Sequence, residues 1–343
     1  MDYSNKINLI NKRYNPNNDY LVERRAYSSI SGEAKDVGKY VLSAMREVDD
    51  EYTKKTKEAG NAVREQLKAK IADIEFEYQG YVMTDTHIRG ASDIDLLTIT
   101  TKFYNSVINK VREEKNKLNI YSYEQICRLQ NYDRYFSAYK GDSNADLRKL
   151  RADNEKVLSE IYNDCDTSKS KSIKITNHHY HRDVDIVTSC WHDSLDYILN
   201  GCQKEYRGIK IYDKDNDYAI GPDYPFLSIS RINQRSALTN GKLKRMIRFL
   251  KNVRTDADKK IELTSFDINA ICYDIPIIEY QYRDYKEIVN MLWSKMYHLL
   301  KDGTADNLKS VIGTEYIFRN KPQKVEALKI LEDEVWKINS DLK

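Results

Sequence analysis

Ser92-Asp93-Ile94-Asp95-Leu96-Leu97 and, further along, Asp183-Val184-Asp185-Ile186-Val187 are the stretches on which the reading of this chain turns. Side chains alternate across a strand, so an Asp-x-Asp there sets both carboxylates on one face and points Ile94 into the core. Each acidic pair abuts an apolar run, Leu96-Leu97-Thr98-Ile99 in one case and Ile186-Val187 in the other. Carboxylates at the ends of buried strands usually have a task. A third Asp from a neighbouring strand would complete a hard oxygen set suited to Mg²⁺ and the phosphates it carries. The residues alone leave Asp93, Asp95, Asp183 and Asp185 all as candidates. In a chain with 53 acidic residues such pairs also arise on surfaces, so their context has to decide.

Composition narrows that context. At 343 residues the chain is long enough for two packed lobes or one large bilobal unit. Its 56 basic and 53 acidic residues give a net charge of +3, which forecasts no strong field for duplex nucleic acid or a membrane surface. No stretch approaches the length of a transmembrane helix, and Met1-Asp2-Tyr3-Ser4-Asn5-Lys6 lacks the apolar core of a signal peptide, so a cytoplasmic protein is expected. The five cysteines are scattered without a Cys-x-x-Cys and read as reduced structural thiols. Only 5 prolines and 12 glycines punctuate the chain, which favours long helices. The 27 tyrosines read as composition bias with half-buried rings.

Residues 1–30, with Asn15-Pro16-Asn17-Asn18, read as a polar arm. Helical periodicity starts after Ser31-Gly32 with Val37, Tyr40-Val41, Ala44-Met45 and Val48, and resumes in Ala62-Val63, Leu67, Ile71 and Ile74, so one long helix or two in series lead to the first strand. Gly80 closes this run ahead of a turn, and a strand over Asp93 to Thr100 follows. Tyr104 to Asp164 is a helical insertion. Ile173 to Thr176 should pair with His181 to Val187 as a hairpin, with His178-His179-Tyr180-His181 in its turn; zinc ligation by these histidines is weighed and set below simple exposure, since no cysteine stands nearby at ligand spacing. A looped region holding Pro222 and Pro225 precedes the amphipathic helix Gly241 to Lys251, whose apolar face is Leu243, Ile247 and Leu250. Lys242, Lys244, Arg245, Arg248 and Lys251 on the same helix read either as a phosphate-binding set or as its wet face. Ser265 to Tyr273, Tyr285 to Leu300 and Lys324 to Ile338 complete an all-α C-terminal third.

These residues, in this order, resemble the nucleotidyltransferases of the oligoadenylate synthase and cyclic GMP-AMP synthase type, including the bacterial CD-NTases of anti-phage defence. Thr86, Ser92-Asp93-Ile94-Asp95-Leu96-Leu97 and Val184-Asp185-Ile186-Val187 match the family pattern in order and spacing. Arg248-Phe249-Leu250-Lys251 resembles the helix segment whose lysine reaches the triphosphate. Ser265-Phe266 stands where a polar residue contacts phosphate and an aromatic stacks on a base, and the stretch Ser265 to Pro276 is especially similar to the bacterial members. The resemblance runs from about residue 35 to 335. One departure stands out: where the family has Gly-Ser, with a hydroxyl and backbone N–H groups facing the triphosphate, this chain has Gly80-Tyr81.

The resemblance implies an α+β fold with a polymerase-β-like nucleotidyltransferase core, a mixed sheet carrying the Asp-bearing strands, packed on a long N-terminal helix and an all-α C-terminal lobe. It implies a core over 1–230 with its helical spine and a helical lobe over 231–343. It selects Asp93, Asp95 and Asp185 as catalytic metal ligands, with Asp183 a neighbour, and implies nucleotide contacts at Gly80, Tyr81, Thr86, Ser92, Arg248, Lys251, Ser265 and Phe266. The cofactor would be two Mg²⁺ ions, with Mn²⁺ as an alternative, and the substrates NTPs or dNTPs. The implied activity is template-independent joining of nucleotides into a cyclic or linear signal read by an effector protein. A variant is synthesis of short single-stranded DNA, as in the Hailong-type nucleotidyltransferases, with a tyrosine such as Tyr316 as the candidate primer. A catalytically idle nucleotide-binding regulator and a tRNA-modifying toxin are the competing classes, the toxin disfavoured by the lack of a strongly basic surface.

Overall fold

The computed structural model describes residues 1–14, 36–80, 82–88, 94–117 and 119–343. They form two compact units, a sheet unit of Asp50–Met83 and Asp93–Ser230, and a helical unit of Met1–Asp49, Thr84–Ser92 and Arg231–Lys343. The expected linear division at 230/231 differs from this partition at two places: Met1–Asp49 and Thr84–Ser92 sort with the C-terminal helices instead of the core. Each unit is built around its own buried side chains.

The strands of the sheet unit are β1 (Ile74–Gln79), β2 (Ile94–Ser106), β3 (Cys165–Asp166), β4 (Ile173–Asn177), β5 (Arg182–Asp193), β6 (Gly208–Asp213) and β7 (Tyr218–Asp223). They form one mixed sheet ordered β1-β2-β5-β4-β3, with β6 joining β5 to β7. Among the described residues only β2 and β5 pair in parallel; the other ladders are antiparallel. β4 takes one edge of β5 along Arg182–Ile186 and β6 takes that edge along Ser189–His192. A parallel pair needs a crossover, and the helices Ile108–Glu114, Tyr123–Tyr135 and Ser143–Ile161 occupy the segment between β2 and β5.

Alternation along the strands sorts their side chains between two cores. Ile94, Leu96, Val184 and Ile186 pack with Ala59, Val63 and Leu67 of the helix Asp50–Lys68 and with Val157 and Leu158 of the helix Ser143–Ile161. On the opposite face Leu97, Ile99, Val187, Trp191 and Ile209 cluster with Phe226 packed against them. Asn154 inserts a polar tie in the first layer, its side-chain amide donating to the hydroxyls of Thr98 at 2.8 Å and Thr188 at 3.1 Å.

Two strand segments depart from the sequence reading. Ile74 continues no helix; it opens β1, where Ile74, Phe76 and Tyr78 alternate with Glu75, Glu77 and Gln79 against β2. The region read as a loop around Pro222 contains the β6–β7 pair. The hairpin β4–β5 forms with its turn at 178–181, where the exposed His178 ring bonds Asp164 at 2.7 Å.

In the helical unit, the stretch expected as a polar arm begins with the helix Tyr3–Tyr14, while Asn15-Pro16-Asn17-Asn18 lies outside the described residues. Its inner face is half polar, which hides it from a hydropathy pattern. Ile10 is buried, the Lys6 ammonium donates to the Asp256 carbonyl at 2.7 Å, and the Arg13 guanidinium meets the Asp256 carboxylate at 2.5 Å. The helix Asp36–Met45 buries Val37, Tyr40, Val41, Ala44 and Met45. The helix Lys242–Asp256 is buried along most of its length, not only at Leu243, Ile247 and Leu250. The helices Ser265–Tyr273, Tyr285–Lys301 and Pro322–Asp341 follow; the first is capped by Thr264 and Asp267, whose side chains each accept from the other's backbone N–H. Asp267 is fully buried and paired with Lys324 at 2.6 Å.

Candidate active site

Asp95 and Asp185 are register partners across the parallel β2–β5 ladder. Facing residues in such a ladder project to the same side, so the two carboxylates stand side by side on the face that also carries Leu97 and Val187. The Asp185 side chain is 17 % exposed, and the Lys169 ammonium lies 3.4 Å from its Oδ1. Lys169 reaches it from the loop Thr167–Ser172, which the buried Arg151 guanidinium fastens through the carbonyls of Lys169 at 2.9 Å and Ser172 at 3.1 Å. Neither Lys169 nor Arg151 was singled out by motif; the only signal was a lysine-bearing loop just ahead of β4.

Gly80 ends β1 with φ +87° and brings its backbone so close to Asp95 that a Cβ at this position would lie 2.4 Å from Oδ2. The glycine of Gly80-Tyr81 is therefore required by the carboxylate itself and by a backbone region that side chains disfavour. Asp183 shares a face with Asp185, but its carboxylate is engaged by the Lys174 ammonium at 2.8 Å and the Thr176 hydroxyl at 2.8 Å. Burial pushes the Asp183 carboxyl up, and these two bonds outweigh it, leaving it below the usual carboxylate range. Asp93, Ser92 and Tyr81 lie outside the described residues. Among the described residues no three carboxylates, imidazoles or thiols converge as a metal-binding group. Asp95 and Asp185 nevertheless fit a hard divalent cation as oxygen donors sharing one face, with a backbone cradle at Gly80 that a side chain would fill.

In the helical unit, Thr84 and Thr86 are buried and their hydroxyls share a hydrogen bond of 2.7 Å. The Lys251 ammonium, 1 % exposed, donates to the Thr86 carbonyl at 2.8 Å. Burial, reinforced by the positive charge of Arg254, holds its pKa well below the usual lysine range. Arg248, equally buried, donates to the carbonyls of Met45 at 2.9 Å and Asp85 at 2.7 Å. The reading of these cations as a wet helix face does not hold for Arg248 and Lys251, which turn inward to donate to backbone carbonyls; of the five, Arg245 is exposed and Lys242 and Lys244 are partly exposed. Ser265 and Phe266 sit half-buried in the first turn of their helix. The Tyr316 ring, half-buried, lies under the Arg319 guanidinium at 3.3 Å and near Lys309 at 5.3 Å.

With the sheet, the paired aspartates and the helical segment in place, comparison with known proteins identifies the class: the chain belongs to the CD-NTase family of nucleotidyltransferases, with the α+β, polymerase-β-like core of that family. The family model described as the cGAS/DncV-like nucleotidyltransferase C-terminal helical domain matches residues 230–339. The chain is 56 % identical over 341 residues, 99 % of each chain, to a protein of Lachnospiraceae bacterium (strain RUG226) named c-di-GMP synthase. Two solved structures are similar over the whole chain. A STING-associated CdnE c-di-GMP synthase from Flavobacteriaceae sp. has a TM-score of 0.88 and 33 % identity, covering 100 % of this chain and 98 % of that one. A second STING-associated CdnE c-di-GMP synthase, from Capnocytophaga granulosa, has a TM-score of 0.81 and 39 % identity, covering 100 % and 99 %. Among the described residues no helix is long and apolar enough to cross a membrane.

Proposed function

We propose that this protein joins two molecules of GTP into the cyclic dinucleotide c-di-GMP, with release of two pyrophosphates. The observation that carries the reading is the Asp95–Asp185 register on one face of β2 and β5, supported by the names of the relatives with which the chain is collinear. In each half-reaction a ribose hydroxyl attacks an α-phosphate, the bond from that phosphorus to the bridging oxygen breaks, and pyrophosphate departs. Mg²⁺ held by Asp95 and Asp185, with Asp93 as the third carboxylate, would neutralise the phosphates and ease deprotonation of the hydroxyl. Asp95 keeps its position through the close backbone of Gly80, and Lys169 supplies positive charge next to Asp185. Lys251 and Arg248 act as anchors for residues 84–86; for the Lys251 ammonium to reach a phosphate, its bond to Thr86 would have to be exchanged. An anti-phage role with a product-sensing effector is part of this proposal, supported by the STING association stated for the two solved relatives.

The test is product analysis after incubation with all ribo- and deoxynucleoside triphosphates and Mg²⁺. A phosphatase-resistant product with the mass of c-di-GMP is expected from the wild type and none from Asp95→Asn, whose melting temperature should remain close to wild type. Full activity of Asp95→Asn, or a product that is only linear, DNA or covalently attached to the protein, would overturn the reading.

A further inference from the structure

On the sheet face that carries Asp95 and Asp185, a cavity of about 290 Å³ opens beside β1, lined by Glu77, Met83, Lys204, Glu205, Phe226 and Ile229 among others. Glu77 and Asp95 share that face through their register: Gln79 pairs with Asp95 and Glu77 with Leu97. Two residues of strand place the Glu77 backbone about 7 Å from the Asp95 register position. The volume is at the lower end of ligand cavities, suited to a single base and too small for a whole nucleotide.

Its polar groups form an ordered pattern. Glu77 and Lys204 are joined as an ion pair and present a carboxylate and an ammonium side by side. The Lys204 ammonium stands 5.8 Å from the centre of the Phe226 ring, and that ring is itself held against Trp191 at a centroid distance of 5.6 Å. Glu205 accepts from the Ser230 hydroxyl at 2.5 Å, so its position is also set. The Glu77 side chain is 24 % exposed and that of Lys204 58 %, so both can change partners without a large desolvation cost.

We propose that this cavity is the guanine-reading subsite: Phe226 stacks on the base, Lys204 donates to O6, and Glu77 accepts from N1–H and the exocyclic N2 amine. This rests on the c-di-GMP reading above and adds the residues that choose the base. Guanine presents along its Watson–Crick edge the O6 acceptor followed by two donors, N1–H and the N2 amine, which matches an ammonium next to a carboxylate. Adenine reverses that order. Its N6 amine would face the Lys204 ammonium and its N1 lone pair the Glu77 carboxylate, two repulsive contacts in place of two attractive ones.

The test uses the full chain with equimolar GTP and ATP, measuring product composition by mass spectrometry and the KM for each nucleotide. The variants are Glu77→Gln, Lys204→Met and Phe226→Leu, with melting temperatures as a folding control. Expected outcomes are a strong GTP preference in the wild type and a fall of roughly tenfold or more in that preference in Glu77→Gln and Lys204→Met, since a site built to pair with polar groups loses discrimination when one is removed. Phe226→Leu should raise the KM for both nucleotides. Lys204 is largely exposed, so its variant keeps the proposal falsifiable where Glu77→Gln folds poorly. A wild type that makes c-di-GMP while both polar variants keep its selectivity would overturn the subsite alone. A wild type that makes no cyclic product from GTP would overturn the c-di-GMP reading, and the subsite with it.

Discussion

At the scale of single residues, the tightest constraint in the site belongs to a glycine. Gly80 has φ +87° and no room for a Cβ, which would meet Asp95 Oδ2 at 2.4 Å. Gly80→Ala therefore forces either the strained backbone or the carboxylate to move, at about 1–2 kcal/mol for the left-handed conformation alone. Product formation is expected to fall at least tenfold with only a modest loss in melting temperature, since the displaced atom is the proposed metal ligand; wild-type turnover in Gly80→Ala would contradict this. The place of Asp95 on a strand face was legible from an Asp-x-Asp against an apolar run. The setting of Lys251 was not. A lysine in a helix reads as solvent-facing, and only the position of the Thr86 carbonyl makes a buried ammonium the better solution.

At the scale of elements, the helix Lys242–Asp256 acts as a clamp within the helical unit. Arg248→Met would leave the carbonyls of Met45 and Asp85 without their donor. At about 1–3 kcal/mol for a buried acceptor left unsatisfied, and less for the carbonyl of the exposed Asp85, a loss of roughly 1–3 kcal/mol is expected. Denaturant unfolding measures it, and a shift below about 1 kcal/mol would show that other groups take over the role. The amphipathic pattern located this helix, and the capping pair Thr264 and Asp267 opens the helix Ser265–Tyr273 where a start was read. The strands β1 and β6–β7 escaped notice for physical reasons. In β1 the apolar members Ile74, Phe76 and Tyr78 follow directly on a helical run ending near Ile71, so two periods overlap; in β7, Gly221 and Pro222 interrupt a short strand.

At the scale of the whole chain, the sheet unit carries an acid-sensitive point in His192. The residue is 5 % exposed, its Nδ1 lies 2.8 Å from Asn105 Oδ1, and burial, with a smaller contribution from Lys210, lowers its pKa to about 4. Between pH 4 and the unperturbed value of 6.5 the unfolded chain binds a proton that the folded chain does not. The stability that neutral His192 contributes is thus fully present above pH 6.5 and is lost as the pH falls towards 4. Unfolding midpoints measured across this window should drop with acid, and His192→Gln should flatten the drop; an unchanged slope would exclude His192 as the cause. The partition into units is also a property of this scale. Residues 1–49 sort with the C-terminal helices because Lys6, Arg13 and Tyr40 converge on Asp256.

Residue pattern was enough for the local chemistry: which strands carry aspartates, which faces are apolar, where most of the long helices lie, and which family the ordered motifs resemble. Those features depend on neighbours one to four residues apart, and periodicity reports such neighbours directly. Tertiary structure alone decided which groups meet across long separations. Asp185 stands beside Asp95 by parallel register, Lys169 reaches Asp185 from a loop fastened by Arg151, and Glu77 and Lys204 share one cavity. Such juxtapositions arise from strand pairing and from the satisfaction of buried polar groups, and these link residues that no sequence period connects.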